Sequence, residues 1–232
     1  MSLSGEGAVA IWHDIAPEAR DAFYAWHGEE HMPERVGIPG FLRGRRYISC
    51  RPGVEFFNLY EAASPQVVAG TDYLTRLDNP TPWTKATVPH FSNVSRSICK
   101  VAATFGSSSG GLIGTWRYSV DDDNALEHRK AMCERILPTL AGCPGVAGVH
   151  LLIADISASA VKTAEQRVRE EANLIPGWII LLEGWGGEAE FSDLSLKALS
   201  DEVLADSGAV GAAENGLFRL QATRLKTAWT AG

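Results

Sequence analysis

The densest group of reactive side chains in this chain lies in one ten-residue stretch, Trp26-His27-Gly28-Glu29-Glu30-His31-Met32-Pro33-Glu34-Arg35. At about 100° per residue on an α-helix, Phe23, His27, Glu30 and Glu34 share a face, and His31 lies beside it. Two imidazoles and two carboxylates then converge near a helix end. A carboxylate beside an imidazole fixes its tautomer and raises its basicity, and general acid–base catalysis near neutral pH is built that way. His27, His31, Glu30 and Glu34 are therefore the expected catalytic set. The same residues also read as H-x-x-E-H, the inverted zinc-protease pattern, and two histidines four apart can share a metal. That chemistry needs a third ligand on another helix, and no acidic partner stands out. No metal or other cofactor is expected; a metal or haem held by His27 and His31 is the alternative.

Other polar groups are placed to join such a site. Strand alternation puts Arg43, Arg45 and Tyr47 on one face and Arg46 on the other, so Arg45 and Tyr47 are candidates to position a substrate oxygen. Asn58 and Tyr60 share a face of the next strand. Trp83 and His90 lie in a proline-rich stretch that reads as an irregular lid. These six complete the expected substrate-binding set. His13 reads equally as a core histidine or a ligand, and His128 and His150 read as structural. Neither G-x-G-x-x-G nor a Walker A sequence is present, so a nucleotide cradle has no support.

The elements that must carry these residues follow from an internal repeat. Pro33, Gly37, Pro39 and Gly40 recur as Pro138, Gly142, Pro144 and Gly145, at a constant offset of 105 positions. Leu59-Tyr60-Glu61 corresponds to Leu181-Leu182-Glu183; Trp12 is paired with Trp116 and Arg96 with Arg219. The second copy carries extra residues near 157–176, with a further helix expected over Thr163 to Ala172. The Gly106-Ser107-Ser108-Ser109-Gly110-Gly111 segment reads as a linker. The chain thus divides into a first unit at 1–105, a linker at 106–111 and a second unit at 112–232. Each unit reads β-α-β-β-α-β. Strands are expected at Ala8 to Ile15, Phe41 to Cys50, Glu55 to Glu61 and Ser92 to Ala103, with helices from Pro17 to Arg35 and Ser64 to Leu77. Such a unit packs both helices on one face of its sheet. Two bare faces packed together give an α+β pseudo-dimeric barrel with a ligand cavity expected between the sheets. The repeat lacks the polar set: His27 aligns with Met132, Glu30 with Arg135, His31 with Ile136 and Glu34 with Thr139. A shared fold does not require these residues, which weighs for function.

Composition narrows the partners. The chain has 232 residues and a formal net charge of −7, which argues against nucleic acid or an anionic membrane surface. The longest dense apolar run, Trp178 to Leu182, is too short to span a bilayer. Four scattered cysteines read as buried free thiols in a reducing compartment, and a cytoplasmic location is expected. The partner is expected to be a small molecule, on a monomeric pseudo-dimer or a homodimer.

Trp26-His27-x-x-Glu30-His31-x-Pro33-Glu34-Arg35, Ile38-Pro39-Gly40-Phe41, Arg45-Arg46-Tyr47 and Asn79-Pro80-Thr81-Pro82-Trp83 resemble the dimeric α/β-barrel superfamily of ferredoxin-like units, nearest its EthD-like branch. The strong match covers residues 8–103. The resemblance implies the pseudo-dimeric barrel and a range of chemistries: muconolactone-type isomerases, polyketide cyclases, cofactor-independent monooxygenases and, in duplicated form, haem enzymes such as chlorite dismutases. It also implies an acid–base histidine near the helix end, for which His27 and His31 are the matching positions. The function expected on all these grounds is proton transfer by histidine on a small ring- or carbonyl-containing molecule. A non-catalytic binding module is the alternative.

Overall fold

The computed structural model describes residues 2–168 and 173–226. Among these residues there are eight antiparallel strands: β1 Gly7–Ile15, β2 Phe41–Ser49, β3 Phe56–Ala62, β4 Phe91–Gly106, β5 Leu112–Val120, β6 Val146–Ala154, β7 Trp178–Gly184 and β8 Ala209–Leu225. They close into a barrel of order β1-β3-β2-β8-β5-β7-β6-β4. The first half contributes β2-β3-β1-β4 and the second β6-β7-β5-β8. The halves meet at β2·β8 and β4·β6, so neither sheet keeps a free edge.

The helices pack outside. In the first half Arg20–Trp26, His27–His31 and Met32–Gly37 follow one another without a break, and the middle segment is a π turn in which the Met32 N–H reaches the His27 carbonyl five residues back. The second half repeats this at the 105 offset, with a π turn at Met132–Ile136 closed by Leu137 N–H on Met132 O. Each helix leads into a glycine in the left-handed region, Gly40 and Gly145, both at φ 87°, a conformation that favours glycine.

The strand register refines the repeat. Gly7 pairs with Ala62 and Leu112 with Gly184, which, with the third strand at an offset of 122, puts the first strand at 105 and not at the 104 of Trp12 with Trp116. Trp12 then matches Arg117 rather than Trp116. Trp12 faces the barrel interior, while Trp116 packs under the helices of the second half. Arg96 pairs with Ile11 and Asn215 with Trp116, so Arg96 matches Asn215 rather than Arg219. Among its described residues the inserted segment holds two short helical turns, Ile156–Ser159 and Ala164–Arg167. The rest of the helix expected to Ala172 lies outside the described residues. All four cysteines are free, but only Cys99 is fully buried.

The barrel interior is filled. Trp12, Tyr47, Phe57, Leu59, Ile179, Leu181 and Phe218 form its apolar core. One buried ionic cluster completes it. The Arg45 guanidinium donates to both Glu183 oxygens at 2.8 and 3.0 Å and, through Nε, to Glu61 at 3.0 Å. Arg43 also donates to Glu61, and His150 Nε2 lies 3.2 Å from Glu183 Oε1. Burial pushes the Glu183 carboxyl up, but the His150 hydrogen bond and the Arg45 charge outweigh it and hold it at about 2. Arg45 matches His150, and Glu61 matches Glu183, at the offsets of the repeat. The cluster therefore ties the two halves across the barrel.

Candidate functional site

Among the described residues, large side chains and this ionic cluster occupy the space between the two sheets where a cavity was expected. A narrow pocket, partly open to solvent, lies instead between the outer face of the first-half sheet and its helices. Ile11 and His13 from β1, Asn58 and Tyr60 from β3, and Val94 and Arg96 from β4 supply its floor. Trp26, His27, His31 and Arg35 supply the helical wall, and Tyr73, Leu77, Val88, Phe91, Glu165 and Gln166 close it.

His27 is fully enclosed, with both ring nitrogens engaged. Arg46 Nη1 lies 3.2 Å from Nδ1, and Tyr60 Oη lies 3.3 Å from Nε2. A guanidinium can only donate. The Arg46 contact therefore assigns the lone pair to Nδ1 and the proton to Nε2. The Nε2 proton is donated to Tyr60 Oη, which leaves the Tyr60 hydroxyl proton free to point at another acceptor. Burial, and then the Arg46 charge, hold the His27 pKa well below its ordinary value, so the ring is neutral. Burial pushes the Tyr60 hydroxyl up, so it stays protonated. Gly44 is Tyr60's neighbour across the β2·β3 ladder, and a Cβ there would meet the Tyr60 ring at 3.0 Å. The missing side chain lets that ring lie over β2.

His31 is 7% exposed, and its Nδ1 has no hydrogen-bond partner. Its ring lies 4.2 Å from that of Trp26 and 5.5 Å from that of His27, centroid to centroid. Burial, and then the Arg35 charge, push its pKa well below the ordinary value. It is a neutral imidazole with a free nitrogen in a pocket. Asn58 Nδ2 donates to His13 Nε2 at 2.8 Å, and Asn58 Oδ1 is buried without a partner. Two unsatisfied polar atoms in one pocket are costly unless something fills them.

Of the sequence-predicted residues, the pocket brings together His27, His31, Asn58 and Tyr60. The others are elsewhere. Arg45 and Tyr47 face the barrel interior, on the opposite side of the sheet, where Arg45 binds the glutamates. The ladder explains the error: Arg46 pairs with Asn58, and Arg45 pairs with Leu59, so Arg46 shares the Asn58 face. Glu30 and Glu34 hydrogen-bond to neither histidine. Glu30 accepts from Thr81 Oγ1 at 2.6 Å. Thr84 in turn accepts from the Trp26 indole at 3.2 Å, so this contact fastens the following helix to the first. Glu34 is buried against Arg35 at 2.7 Å. The π turn is the physical reason: i→i+5 bonding breaks the 100° step that put these carboxylates beside His27. Trp83 packs in the apolar layer around Phe23, and His90 is exposed; neither lines the pocket. Their stretch is helical rather than irregular, with Pro82–Thr87 capped by Thr81.

The sequence reading missed Arg46, Arg35 and Arg96. The outward parity of Arg46 was visible, but it pointed to the pocket only once the ligand was placed outside the barrel. Arg35 is paired with Glu34 and with Glu165 of the inserted segment, a contact between distant parts of the chain that no local pattern announces.

Among the described residues no cluster of three or more His, Cys, Asp or Glu side chains is placed to hold a metal ion. Metal or haem ligation through His27 does not fit. A ligating imidazole usually donates its second ring N–H to a carboxylate or carbonyl, whereas the second nitrogen here would face a guanidinium.

No protein-family model matches the chain, and no curated protein matches its sequence. Solved structures do match its fold along nearly the whole length. An anthrone oxidase-like protein aligns with TM-score 0.64 at 13% identity, covering 100% of this chain and 99% of the other. A candidate monooxygenase from Fusobacterium nucleatum aligns with TM-score 0.58 at 10% identity, covering 97% and 96%. A candidate chlorite dismutase aligns with TM-score 0.56 at 13% identity, covering 94% and 96%.

Proposed function

From a chain that has the dimeric α/β-barrel fold with both units in one polypeptide, we propose a cofactor-independent enzyme of the EthD-like branch. It takes a proton from carbon next to a carbonyl, or conjugated with one through an aryl ring, on a small ring-containing molecule. The observation that carries this reading is the pocket-lining His31, neutral and with its Nδ1 unpartnered. With its proton on Nε2, that ring presents a lone pair at Nδ1 to the substrate C–H. The C–H bond breaks, the proton moves to Nδ1, and the electron pair moves onto the carbonyl oxygen as an enolate.

Tyr60 supports that oxygen. The Arg46–His27 contact leaves its hydroxyl free to donate, and the buried phenol remains protonated. A fixed donor in a water-poor pocket stabilises the charge where it develops, without reorganisation at that moment. The apolar lining of Ile11, Leu77, Val88, Phe91 and Val94 excludes water and suits a flat ring. Arg46 acts through His27 and is a positioning residue.

Anthrone, named in one structural neighbour, is a suitable probe because its ring methylene lies opposite an aryl ketone. The assay is deuterium exchange at that methylene in D2O, with and without enzyme. The wild type should accelerate exchange, and His31→Gln should abolish the acceleration while the protein still folds. No acceleration by the wild type, or equal acceleration by His31→Gln, overturns the reading.

A further inference from the structure

We propose that Arg96 binds an anionic oxygen group, such as a carboxylate, on the ligand of this pocket. The proposal deepens the reading above and rests on the pocket being a ligand site. Among the described residues, buried arginines are matched by acceptors of their own. Arg35 meets Glu34 and Glu165, Arg45 meets Glu61 and Glu183, and Arg117 meets Glu214. Arg46, outside the pocket lining, is engaged by His27, Gln221 and the Tyr24 ring. Arg96 is different. It is 6% exposed and lines the pocket. Among the described residues its guanidinium donates only to Tyr73 Oη, at 3.0 Å, and lies 5.7 Å from that ring's centroid.

Charge counting leads to the same place. Arg35 and Arg76 balance Glu34 and Glu165 around the pocket wall, and His27 and His31 are neutral. Among the described residues, Arg96 is left as a buried cation without a carboxylate. A buried charge without a counter-charge is strongly unfavourable, and a ligand anion relieves it. The guanidinium offers donors in a planar fork suited to a carboxylate. Tyr73 accepts from Arg96, so its own hydroxyl proton is free to donate to the same anion. Beside Arg96, Ile11 on the neighbouring strand and Val94 on its own form an apolar floor. The unfilled His31 Nδ1 and Asn58 Oδ1 lie in the same pocket. The ligand class is a flat apolar body with an anionic end and a separate carbonyl or hydroxyl.

The test is calorimetric binding of 2-naphthoate against its uncharged methyl ester, to wild type, Arg96→Met, Arg96→Lys and His31→Gln. Wild type should bind the acid at least about tenfold more tightly than the ester. Arg96→Met should lose that preference while binding the ester as before, Arg96→Lys should keep part of it, and His31→Gln should keep it. An ester bound as well as the acid, a preference that survives in Arg96→Met, or no binding of either to the wild type at millimolar concentration overturns the proposal. If the acid preference depends on Arg96 while anthrone exchange is absent, the anion site stands and proton transfer fails. If exchange is present while the ester is bound as well as the acid, the reverse holds.

Discussion

Replacing Glu183 with Gln tests the ionic cluster that ties the two halves of the barrel. The Glu183 carboxyl is held at about 2, against about 4.3 in an unfolded chain. A difference of one pH unit between the two states is worth about 1.4 kcal/mol, so the charged form contributes about 3 kcal/mol to stability at neutral pH. Breaking a buried ion pair by removing one partner costs about 3–5 kcal/mol, so both routes give the same scale. Because the folded pKa is depressed, this stability is present above about pH 4.3 and is lost as pH falls through about 2. By about pH 3.5 roughly 1 kcal/mol of it is gone. Urea unfolding of wild type and Glu183→Gln at about pH 7 and about pH 3.5 reads both quantities. The variant should be about 3 kcal/mol less stable at neutral pH, and the gap should narrow by about 1 kcal/mol in acid. A neutral-pH gap under about 0.5 kcal/mol, or one that does not change with pH, refutes the reasoning.

Three further outcomes follow from the same geometry. Tyr60→Phe removes the donor aimed at the developing oxyanion and should lower the anthrone exchange rate about 10²–10³-fold with little change in binding; an unchanged rate takes Tyr60 out of the chemistry. His27 and His31 are buried neutral, with folded pKa values depressed, so below about pH 6.5 the unfolded chain binds protons that the folded one does not. Stability should then fall by about 1.4 kcal/mol per pH unit for each ring as pH drops below about 6.5, and the pH dependence of urea midpoints in His31→Gln should be shallower than in wild type. Thr84→Val breaks the link between the Trp26 indole and Glu30 and should cost about 1–2 kcal/mol in urea unfolding.

The strand–helix order and the turns between the elements were legible because they depend on local signals. Proline and glycine punctuation, alternation and helix-end patterns all survive into the folded chain. What was not legible depended on choosing a sheet face. Strand alternation put Arg45 and Tyr47 on one face without saying which face meets a ligand; that face is the barrel interior, which Trp12, Phe57 and Phe218 fill. The pairing of Arg46 with Asn58, which decides the matter, is set between strands and leaves no mark in either segment alone. Glu30 and Glu34 were misplaced for a different reason: a π turn cannot be told from an α turn by hydrophobic periodicity. The second copy has the same π turn without the histidines, so the turn belongs to the fold and the histidines are its local use.

The most direct test of the site is nitrogen-15 NMR of the histidine rings at about pH 6, below the ordinary imidazole pKa. His27 should appear as a neutral ring with its proton on Nε2, and His31 as a neutral ring whose Nδ1 signal moves when a ligand occupies the pocket. A protonated His31 at that pH, or His27 with its proton on Nδ1, would contradict the proposed chemistry.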